Sequence, residues 1–474
     1  MSAMRKQEAA KERSEAAREH SQVAQQTHAT YAMLWCSCLA MLAVGANGTA
    51  IMAALPSMAG ELSLTQAGVE WAVNAYLVVS AATIVLGGQA ADRFGAPQAS
   101  IVGLAVFTLA SCIIGFANTP SVLLAGRALQ GLGAALAVPS TLAAVGTGAT
   151  LEKRTAAMAA WTGFLMLGFS IGPLVGGALT HFIGWRVIFW ANAIVMSGAI
   201  AGMALGLLRG GKVLSPSRRL DRPTDWAGFI LLAIFMVALV FALHALPHMN
   251  TAPLSALGPF ALAVGAFSLL SKVEARVVAP LVDRSLFLSR GFAMGVGIGS
   301  LSMFSILSLL LYFNLYAQSR EGFGFTALQA GVSLLPLSAA LLVLSLSASA
   351  VAKKIGVRTA ITGGMALVVI ASATTGVAVA GGSMVVLAAG LFLMGAGLAL
   401  PYGLAPRLAL ASIAPGQAGQ GSGIVNACTF LGGSAGIAAG AAAFAVGGFL
   451  AVLGMIALAG MTGAMLGRGM VATA

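Results

Sequence analysis

Charged side chains are scarce in this sequence. Of its 474 residues, 25 are Lys or Arg and 13 are Asp or Glu, a charged fraction of 8% against roughly 25% in soluble domains. Nine of these 38 lie between Arg5 and Glu19, so the rest of the chain is poorer still. Hydrophobic residues make up 59%, and glycine occurs 60 times. This composition excludes an ordinary soluble enzyme and indicates closely packed membrane helices.

Clusters of catalytic or metal-binding residues are missing as well. The four cysteines lie inside apolar runs, and Cys36 and Cys38 point in different directions on a helix, so they cannot share a metal or a disulfide. No group of His, Asp, Glu or Cys is expected at membrane depth, so we predict no enzyme activity, no catalytic residue, no metal and no cofactor. The net charge of +12 is scattered singly, which argues against nucleic acid as a partner.

Long apolar runs are abundant. A helix needs about 20 residues to cross roughly 30 Å of hydrocarbon, and 14 runs qualify, although the last two are so close that thirteen stays open. The approximate spans are 31–54, 70–90, 98–117, 120–145, 156–180, 186–208, 226–246, 254–272, 291–317, 326–350, 357–380, 383–408, 418–440 and 443–466. The sequence therefore predicts an all-α polytopic membrane protein.

The distribution of Lys and Arg predicts the orientation. With a cytoplasmic N-terminus, 22 of the 25 basic residues fall in cytoplasmic segments, Arg186 and Arg320 fall outside, and Arg127 lies within a span. Loops rich in Lys and Arg are typically cytoplasmic. We therefore expect a multi-pass protein of the inner (plasma) membrane with both termini cytoplasmic. The first apolar run is too long for a secretory signal, and the charged tail before it is expected to be a solvated helix or disordered.

Two polar segments divide the spans into six, two and six. The predicted units are a cytoplasmic tail 1–30, an N-terminal six-helix bundle 31–209, a cytoplasmic loop 210–225, an inserted helix pair 226–272, a cytoplasmic linker 273–290 and a C-terminal six-helix bundle 291–468. Six spans followed by six indicate two repeated bundles that face each other across a central path.

A motif after span two connects the chain to a known family. The run Gly88-Gln89-Ala90-Ala91-Asp92-Arg93-Phe94-Gly95 resembles the loop 2–3 motif of the major facilitator superfamily, and Lys353-Lys354-Ile355-Gly356-Val357-Arg358 is a degenerate copy after span ten. The resemblance implies that Gly88, Asp92, Arg93 and Gly95 belong to a cytoplasmic latch between the bundles. Ala96 and Pro97 replace the basic pair that usually ends the motif.

Spans four and five carry two further motifs. Leu124-Ala125-Gly126-Arg127-Ala128-Leu129-Gln130-Gly131-Leu132-Gly133 is similar to the superfamily's span-four motif and singles out Arg127 and Gly131. An arginine about 10 Å deep in the bilayer is costly and suggests a function; the alternative is an arginine that bonds backbone carbonyls or reaches the interface. Gly168-Phe169-Ser170-Ile171-Gly172-Pro173-Leu174-Val175-Gly176-Gly177 matches the span-five signature of the exporters, with Gly168, Gly172, Pro173 and Gly176 as its key positions.

The span count and the segment Lys272-Val273-Glu274-Ala275-Arg276-Val277-Val278-Ala279-Pro280-Leu281-Val282-Asp283 resemble the fourteen-helix drug:proton antiporter branch of the superfamily. This resemblance implies export of drugs or small amphiphilic compounds by alternating access, driven by the proton-motive force, with a small molecule and the lipid bilayer as partners. We expect a monomer. Rival interpretations are a metabolite exporter or uncoupled facilitator of the same fold, and a transport-inactive receptor or scaffold.

One departure from this branch affects coupling. Asn47 stands where span one normally carries an embedded aspartate, and no carboxylate is predicted near the midplane. Glu70 is the best remaining proton carrier, whereas His181 and His244 are expected to be interfacial packing residues. With Arg127 inside, a neutral or anionic amphiphile is favoured over a bare cation. The candidate proton or substrate path comprises Asn47, Glu70, Asn74, Tyr76, Trp161, Tyr312 and Asn314.

Overall fold

The computed structural model describes residues 2–148, 151–210, 225–245, 253–277, 285–414 and 417–469. For residues 2–29, and for a few residues beside the gaps, it describes the backbone alone. Most of the predicted loop 210–225 and residues 278–284 of the predicted linker therefore lie outside the described residues, together with the basic residues that they carry.

Throughout the described ranges the regular structure is helical. The helices are α1 (Ser2–Leu62), α2 (Gln66–Phe94), α3 (Ala96–Gly115), α4 (Pro120–Gly148), α5 (Leu151–Phe182), α6 (Arg186–Gly210), α7 (Trp226–Ala245), α8 (Pro253–Glu274), α9 (Ser285–Leu288), α10 (Arg290–Gln318), α11 (Ala327–Ser333), α12 (Leu335–Ile355), α13 (Val357–Gly381), α14 (Met384–Ala411) and α15 (Ala418–Arg468). The charged N-terminal tail continues α1 as helical backbone.

Thirteen of the described helices are long and apolar enough to cross a membrane, and the last one crosses twice. α15 has 51 residues, which would extend about 75 Å if straight. Its backbone leaves helical geometry at Gly447 and Gly448, where Gly448 has φ of +61°. Before this break α15 packs along α10, and after it the chain returns along α13, where Gly460 and Gly467 lie against Met365 and Thr362. Fourteen crossings result, with the reversal a few residues later than the sequence predicts.

The two groups of six crossings pack alike. In the first group α1 packs on α5, while α4 packs on α2 and α3; in the second α10 packs on α15, while α14 packs on α12 and α13. A glycine series on each fifth crossing makes the equivalent contact. Gly432, Gly436 and Gly440 of α15 approach the α10 backbone and the Tyr312 ring, as Gly168, Gly172 and Gly176 of α5 approach α1. The chain is therefore two repeated six-helix bundles with an inserted helix pair.

The turn after the second crossing of each bundle is also the same. Gly95 ends α2 with φ of +96° and donates its N–H to the Ala91 carbonyl. Its own carbonyl accepts a hydrogen bond from the Ala99 N–H in the first turn of α3. Gly356 ends α12 with φ of +84° and donates to Ala352 in the same way. Glycine is required at both positions because a side chain is strained at these φ values. We call the membrane side on which these two turns lie the terminal side, and the opposite side the far side. At the terminal side Arg358 also contacts the Arg468 carbonyl at the end of α15.

The inserted pair packs beside the two bundles. α7 contacts α2 of the first bundle and α15 of the second, and α8 packs mainly on α7. Large apolar side chains of α8 such as Phe260, Leu262 and Phe267 are about half exposed. Exposed apolar area on this scale fits a helix that faces lipid, so the pair presents one face to the bilayer and one to the junction of the bundles.

Candidate functional site

The span-five signature forms the interface between α5 and α1. A Cβ at Gly168 would overlap the Leu42 carbonyl oxygen, one at Gly172 would overlap the Thr49 hydroxyl, and one at Gly176 would overlap the backbone of Ala50. These three glycines share one face of α5, so the two helices approach until their backbones touch. The three glycines form a flat stripe on α5, and the close approach explains why no larger residue fits.

Pro173 leaves a gap in this helix that Thr49 fills. A proline has no N–H, so the carbonyl of Phe169, four residues earlier, loses its helical donor. The Thr49 hydroxyl of α1 donates to that carbonyl at 3.1 Å. An interhelical hydrogen bond therefore replaces the missing intrahelical one at the level where the stripe packs most closely.

Arg127 is fully buried between α4 and α2. Its Nε donates to the Ala72 carbonyl at 2.7 Å and its Nη1 to Gln130 Oε1 at 2.6 Å, while Gln130 donates to the Ser111 hydroxyl at 2.8 Å. The guanidinium also lies over the Tyr76 ring, 4.7 Å from its centroid. The Nη2 atom has no hydrogen-bond partner, and none of the described carboxylates pairs with this arginine. It is thus a buried cation, stabilised by dipoles and an aromatic ring.

Gly131 permits this arrangement. Its Cβ position would coincide with the Tyr76 carbonyl oxygen, and the Ser80 hydroxyl donates to the Gly131 carbonyl at 3.0 Å. α4 and α2 are therefore in backbone contact one turn from Arg127, which holds the guanidinium against α2.

Glu70 and His244 meet at the far-side ends of α2 and α7. The distance from Glu70 Oε2 to His244 Nε2 is 3.3 Å, and the two side chains are 5% and 8% exposed. His244 Nε2 also lies 3.2 Å from Asn74 Nδ2, and its Nδ1 lies 3.1 Å from the Val240 carbonyl. Trp71 stacks on the imidazole at 5.1 Å. Glu70, which the sequence predicts to be the best remaining proton carrier, thus lies against His244, which the sequence analysis expected to be an interfacial packing residue.

Asn47 pairs with another amide. Its Oδ1 accepts from Asn192 Nδ2 of α6 at 2.8 Å, and its own Nδ2 has no hydrogen-bond partner. The side chain is 1% exposed. The position of the missing carboxylate is therefore a buried, neutral amide pair.

Three further path residues are buried and hydrogen-bonded, two of them to a neighbouring helix and one within its own helix. Tyr312 donates to the Ile437 carbonyl at 2.7 Å, Asn314 donates to Leu310 at 2.8 Å, and the Trp161 indole donates to Thr141 at 3.1 Å. A small apolar cavity between the bundles is lined instead by Phe169, Ile306, Leu309, Leu310, Leu337, Ser338, Leu341, Gly395 and Leu398. None of the seven expected path residues is among them.

The last turn of α2 is exposed at the terminal side. Asp92 and Arg93 point outward, and Arg93 lies over the ring of Phe94 at 5.6 Å. Asp92 makes no hydrogen bond to any side chain that the structure describes. A Cβ at Gly88 would meet nothing within 4 Å, so packing does not require glycine at Gly88, whereas the positive φ of Gly95 does require it there.

The far side is closed by contacts between the bundles. Gly177 of α5 lies against the Ala327 carbonyl of α11, and Gly331 of α11 lies against the Pro173 carbonyl. Gln318 of α10 donates to the Ala53 carbonyl of α1 at 3.0 Å. At the terminal side, Gly423 of α15 approaches Val85 of α2. α5 thus contacts α1 through Gly168, Gly172 and Gly176, and it contacts the second bundle through Pro173 and Gly177.

Sequence analysis does not find several of these partners. No local pattern relates Thr49, Asn192 and His244 to their partners, because each bonds a residue that lies more than 100 positions away. The second glycine series, Gly432 to Gly440, has a visible four-residue spacing that could have been read as the counterpart of the span-five stripe.

Similar proteins have names that refer to resistance and export. The chain is 30% identical over 305 residues to the tetracenomycin C resistance and export protein of Streptomyces glaucescens, covering 64% of this chain and 55% of that protein. It is 32% identical over 295 residues to the methylenomycin A resistance protein of Bacillus subtilis, covering 61% of each. It is 28% identical over 386 residues to the multidrug resistance protein Stp of Mycobacterium tuberculosis, covering 81% of this chain and 70% of that protein.

A solved structure has the same fold. The human organic anion transporter MFSD10 (TETRAN) superposes with a TM-score of 0.61 at 16% identity, covering 93% of this chain and 99% of that one. The family model described as Major Facilitator Superfamily matches residues 37–437. With its repeated bundles, its two glycine turns and its span-five stripe, the chain belongs to the Major Facilitator Superfamily.

Proposed function

We propose that this protein exports small amphiphilic compounds by alternating access of its two bundles, driven by the proton-motive force. The relatives named for resistance and export support this activity, although the first two alignments cover less than two thirds of those proteins. In this proposal the units 31–209 and 291–468 move against each other, and the pair 226–272, whose α7 packs on α2 and on α15, changes its contacts with them.

The observation that carries the proposal is the double contact of α5. Its Gly168, Gly172 and Gly176 hold it to α1 of its own bundle, and its far-side end, through Gly177, packs on α11 of the other bundle. α5 also contacts α12 of the second bundle. A helix held in backbone contact with its own bundle while it packs on the other is suited to rocking motions that open and close the path between them.

The charge of the site supports neutral or anionic substrates. The buried guanidinium of Arg127 has no carboxylate partner among the described residues, and the Glu70 carboxylate already faces His244. A bare cation entering between the bundles would meet an uncompensated positive charge at low dielectric. We place Asn47, Asn74, Tyr76, Trp161, Tyr312 and Asn314 along the substrate path, and the Gly88 to Gly95 segment as the latch at the terminal side.

The proposed location is the inner (plasma) membrane, with the terminal side in the cytoplasm and the protein as a monomer. The distribution of Lys and Arg supports this orientation, since the terminal side carries Arg93, Lys353 and Lys354.

Transport into liposomes tests the function. Purified protein is reconstituted, a pH gradient is imposed, and the movement of a neutral, an anionic and a cationic fluorescent amphiphile is followed. We expect gradient-driven movement of the neutral or anionic probe and little of the cationic one. Movement of the cation alone would contradict the substrate class, and no movement of any probe would contradict the exporter.

Asn47 favours a second candidate, an uncoupled facilitator. Its amide pair with Asn192 occupies the position of the usual proton-carrying aspartate. If the wild type is indifferent to the gradient, Asn47→Asp should introduce pH dependence, because the new carboxylate keeps the acceptor for Asn192 and adds a titratable group. Asn426→Asp is the matched control, since its amide bonds within its own helix and it is not among the proposed path residues.

A further inference from the structure

A titratable pair joins the inserted helix pair to the first bundle at the far side. Glu70 of α2 and His244 of α7 lie 3.3 Å apart, and each side chain is more than nine-tenths buried. Neither residue belongs to a motif of the sequence, and the stripe on α5 and the network of Arg127 do not involve them.

The hydrogen-bond partners define how the pair handles a proton. His244 Nδ1 faces the Val240 carbonyl at 3.1 Å, and a carbonyl can only accept, so Nδ1 carries a hydrogen. Nε2 faces two groups of opposite character: the Glu70 carboxylate, which accepts, and Asn74 Nδ2, which donates at 3.2 Å. With a proton on Nε2 the imidazolium bonds Glu70; without one, Nε2 accepts from Asn74.

Burial decides between these two states. A buried carboxylate without a counter-charge is strongly unfavourable, whereas a carboxylate paired with an imidazolium is compensated. While α7 packs on α2, the pair is therefore most stable with one shared proton. Separation of the two helices would admit water, which solvates the Glu70 carboxylate. The solvated carboxylate no longer needs the imidazolium as a counter-charge, so the proton is held less strongly.

Other charged groups around the pair are already engaged or distant. Tyr312 of α10 lies within electrostatic range of Glu70, but its hydroxyl is bonded to Ile437. The remaining ionisable side chains that the structure describes on α2 and on the helices packed against α2 and α7 are Tyr31, Cys36, Cys38 and Glu61 of α1, the last paired with Arg186; Tyr76, Asp92 and Arg93 of α2; Cys112 of α3; Arg127 of α4, bonded to Ala72; Lys272 and Glu274 at the terminal-side end of α8; and Cys428 and Arg468 of α15. None of them replaces either partner.

We propose that Glu70 and His244 form a proton-binding site whose occupation favours the far-side-closed conformation. The site binds one proton from water on the far side, and the proton bridges α2 and α7 as the helices come together. By linkage, a lower pH on that side favours closure. This inference rests on the proposed exporter function only for its role in transport; the binding of the proton itself does not depend on it.

Trp71 supplies a direct readout, since an imidazolium stacked on an indole quenches its fluorescence. The full-length protein is titrated in detergent between about pH 5 and 9, and the signal of Trp71→Phe is subtracted to isolate Trp71. We expect quenching as the pH falls. The transition should vanish in His244→Gln and should occur about one pH unit or more lower in Glu70→Gln, because the imidazolium has lost its counter-charge.

Two control variants match these substitutions. His181→Gln removes an exposed far-side histidine and Glu321→Gln an exposed far-side carboxylate, and both should titrate like the wild type. Asn74→Leu removes the donor to the unprotonated Nε2, so its transition should occur at higher pH. A transition that persists in His244→Gln, or one that is unmoved in Glu70→Gln and Asn74→Leu, would overturn the site.

Liposomes distinguish failure of the site from failure of the exporter. If the fluorescence transition follows the expected variants but no amphiphile moves, the exporter is wrong and the site stands. If amphiphiles move, and Glu70→Gln and His244→Gln transport with the pH dependence of the wild type, the link between the site and closure is wrong and the exporter stands.

Discussion

At the residue scale, several buried polar groups of this protein have hydrogen-bond partners that lie far away in sequence. The Phe169 carbonyl depends on Thr49, the Arg127 guanidinium on the Ala72 carbonyl, and Asn47 on Asn192. Water is absent from a bilayer core, so each of these groups must find its partner within the protein. Single polar side chains therefore fix which helices can be neighbours.

Thr49 and Pro173 should behave as a coupled pair. Thr49→Val leaves the Phe169 carbonyl without a donor, at a cost of about 1–3 kcal/mol. In the Pro173→Ala background the backbone N–H gained at that position can restore the helical bond, so the same substitution should cost much less. Thermal unfolding of the four proteins in detergent gives the coupling. Equal losses in both backgrounds would show that the hydroxyl does not serve this carbonyl.

At the element scale, α5 is shaped by the absence of side chains on one face. Its glycines allow backbone contact with α1, and Pro173 and Thr49 lie at the same level, so the kink and its compensation are part of one interface. The glycine series of α15 makes the equivalent contact with α10. In each bundle this helix pair is therefore held more closely than larger side chains would allow.

Adding one methyl group to the stripe should separate α1 from α5. Gly168→Ala, Gly172→Ala or Gly176→Ala places a Cβ on α1 backbone or the Thr49 hydroxyl, and overpacking of this kind costs about 1–3 kcal/mol. Gly163→Ala on the same helix is the control, because its nearest neighbour would be Leu346 Cδ2 at 3.7 Å. Unfolding temperatures of the stripe variants equal to that of the control would contradict the contact.

At the scale of the whole molecule, the bundles meet at the far side through two contacts of different kinds. Gln318 of α10 donates to the Ala53 carbonyl of α1, and α11 packs on the end of α5. A two-state transporter must break such contacts when the far side opens, so the strength of each one affects the equilibrium between the closed and open states.

Gln318→Ala should loosen this closure. The variant loses one hydrogen bond between the bundles, worth about 0.5–1.5 kcal/mol, so the far side should open more often. Hydrogen–deuterium exchange of α11 should accelerate by up to about tenfold, since 1.4 kcal/mol corresponds to a factor of ten. Thr374→Val, which removes a hydroxyl bonded within its own helix, is the control. Unchanged exchange in α11 would exclude a role for Gln318 in closure.

The amino-acid sequence alone determined the features that depend on local pattern. Long apolar runs require helices that span a bilayer, Gly95 and Gly356 are needed at turns with positive φ, and the glycines of span five predict a close helix pair. The site residues of the motifs followed from the resemblance to the superfamily, whose motifs are short local runs of the sequence.

Only the tertiary structure decided which distant side chains meet. Glu70 and His244 are separated by more than 170 positions, and no periodicity relates them; their contact exists because α7 packs on α2. The isolated histidine that the sequence assigned to packing thereby becomes the partner of a buried carboxylate. Pairing across helices depends on how the crossings assemble, and that depends on packing energies summed over the whole chain rather than on any local run of residues.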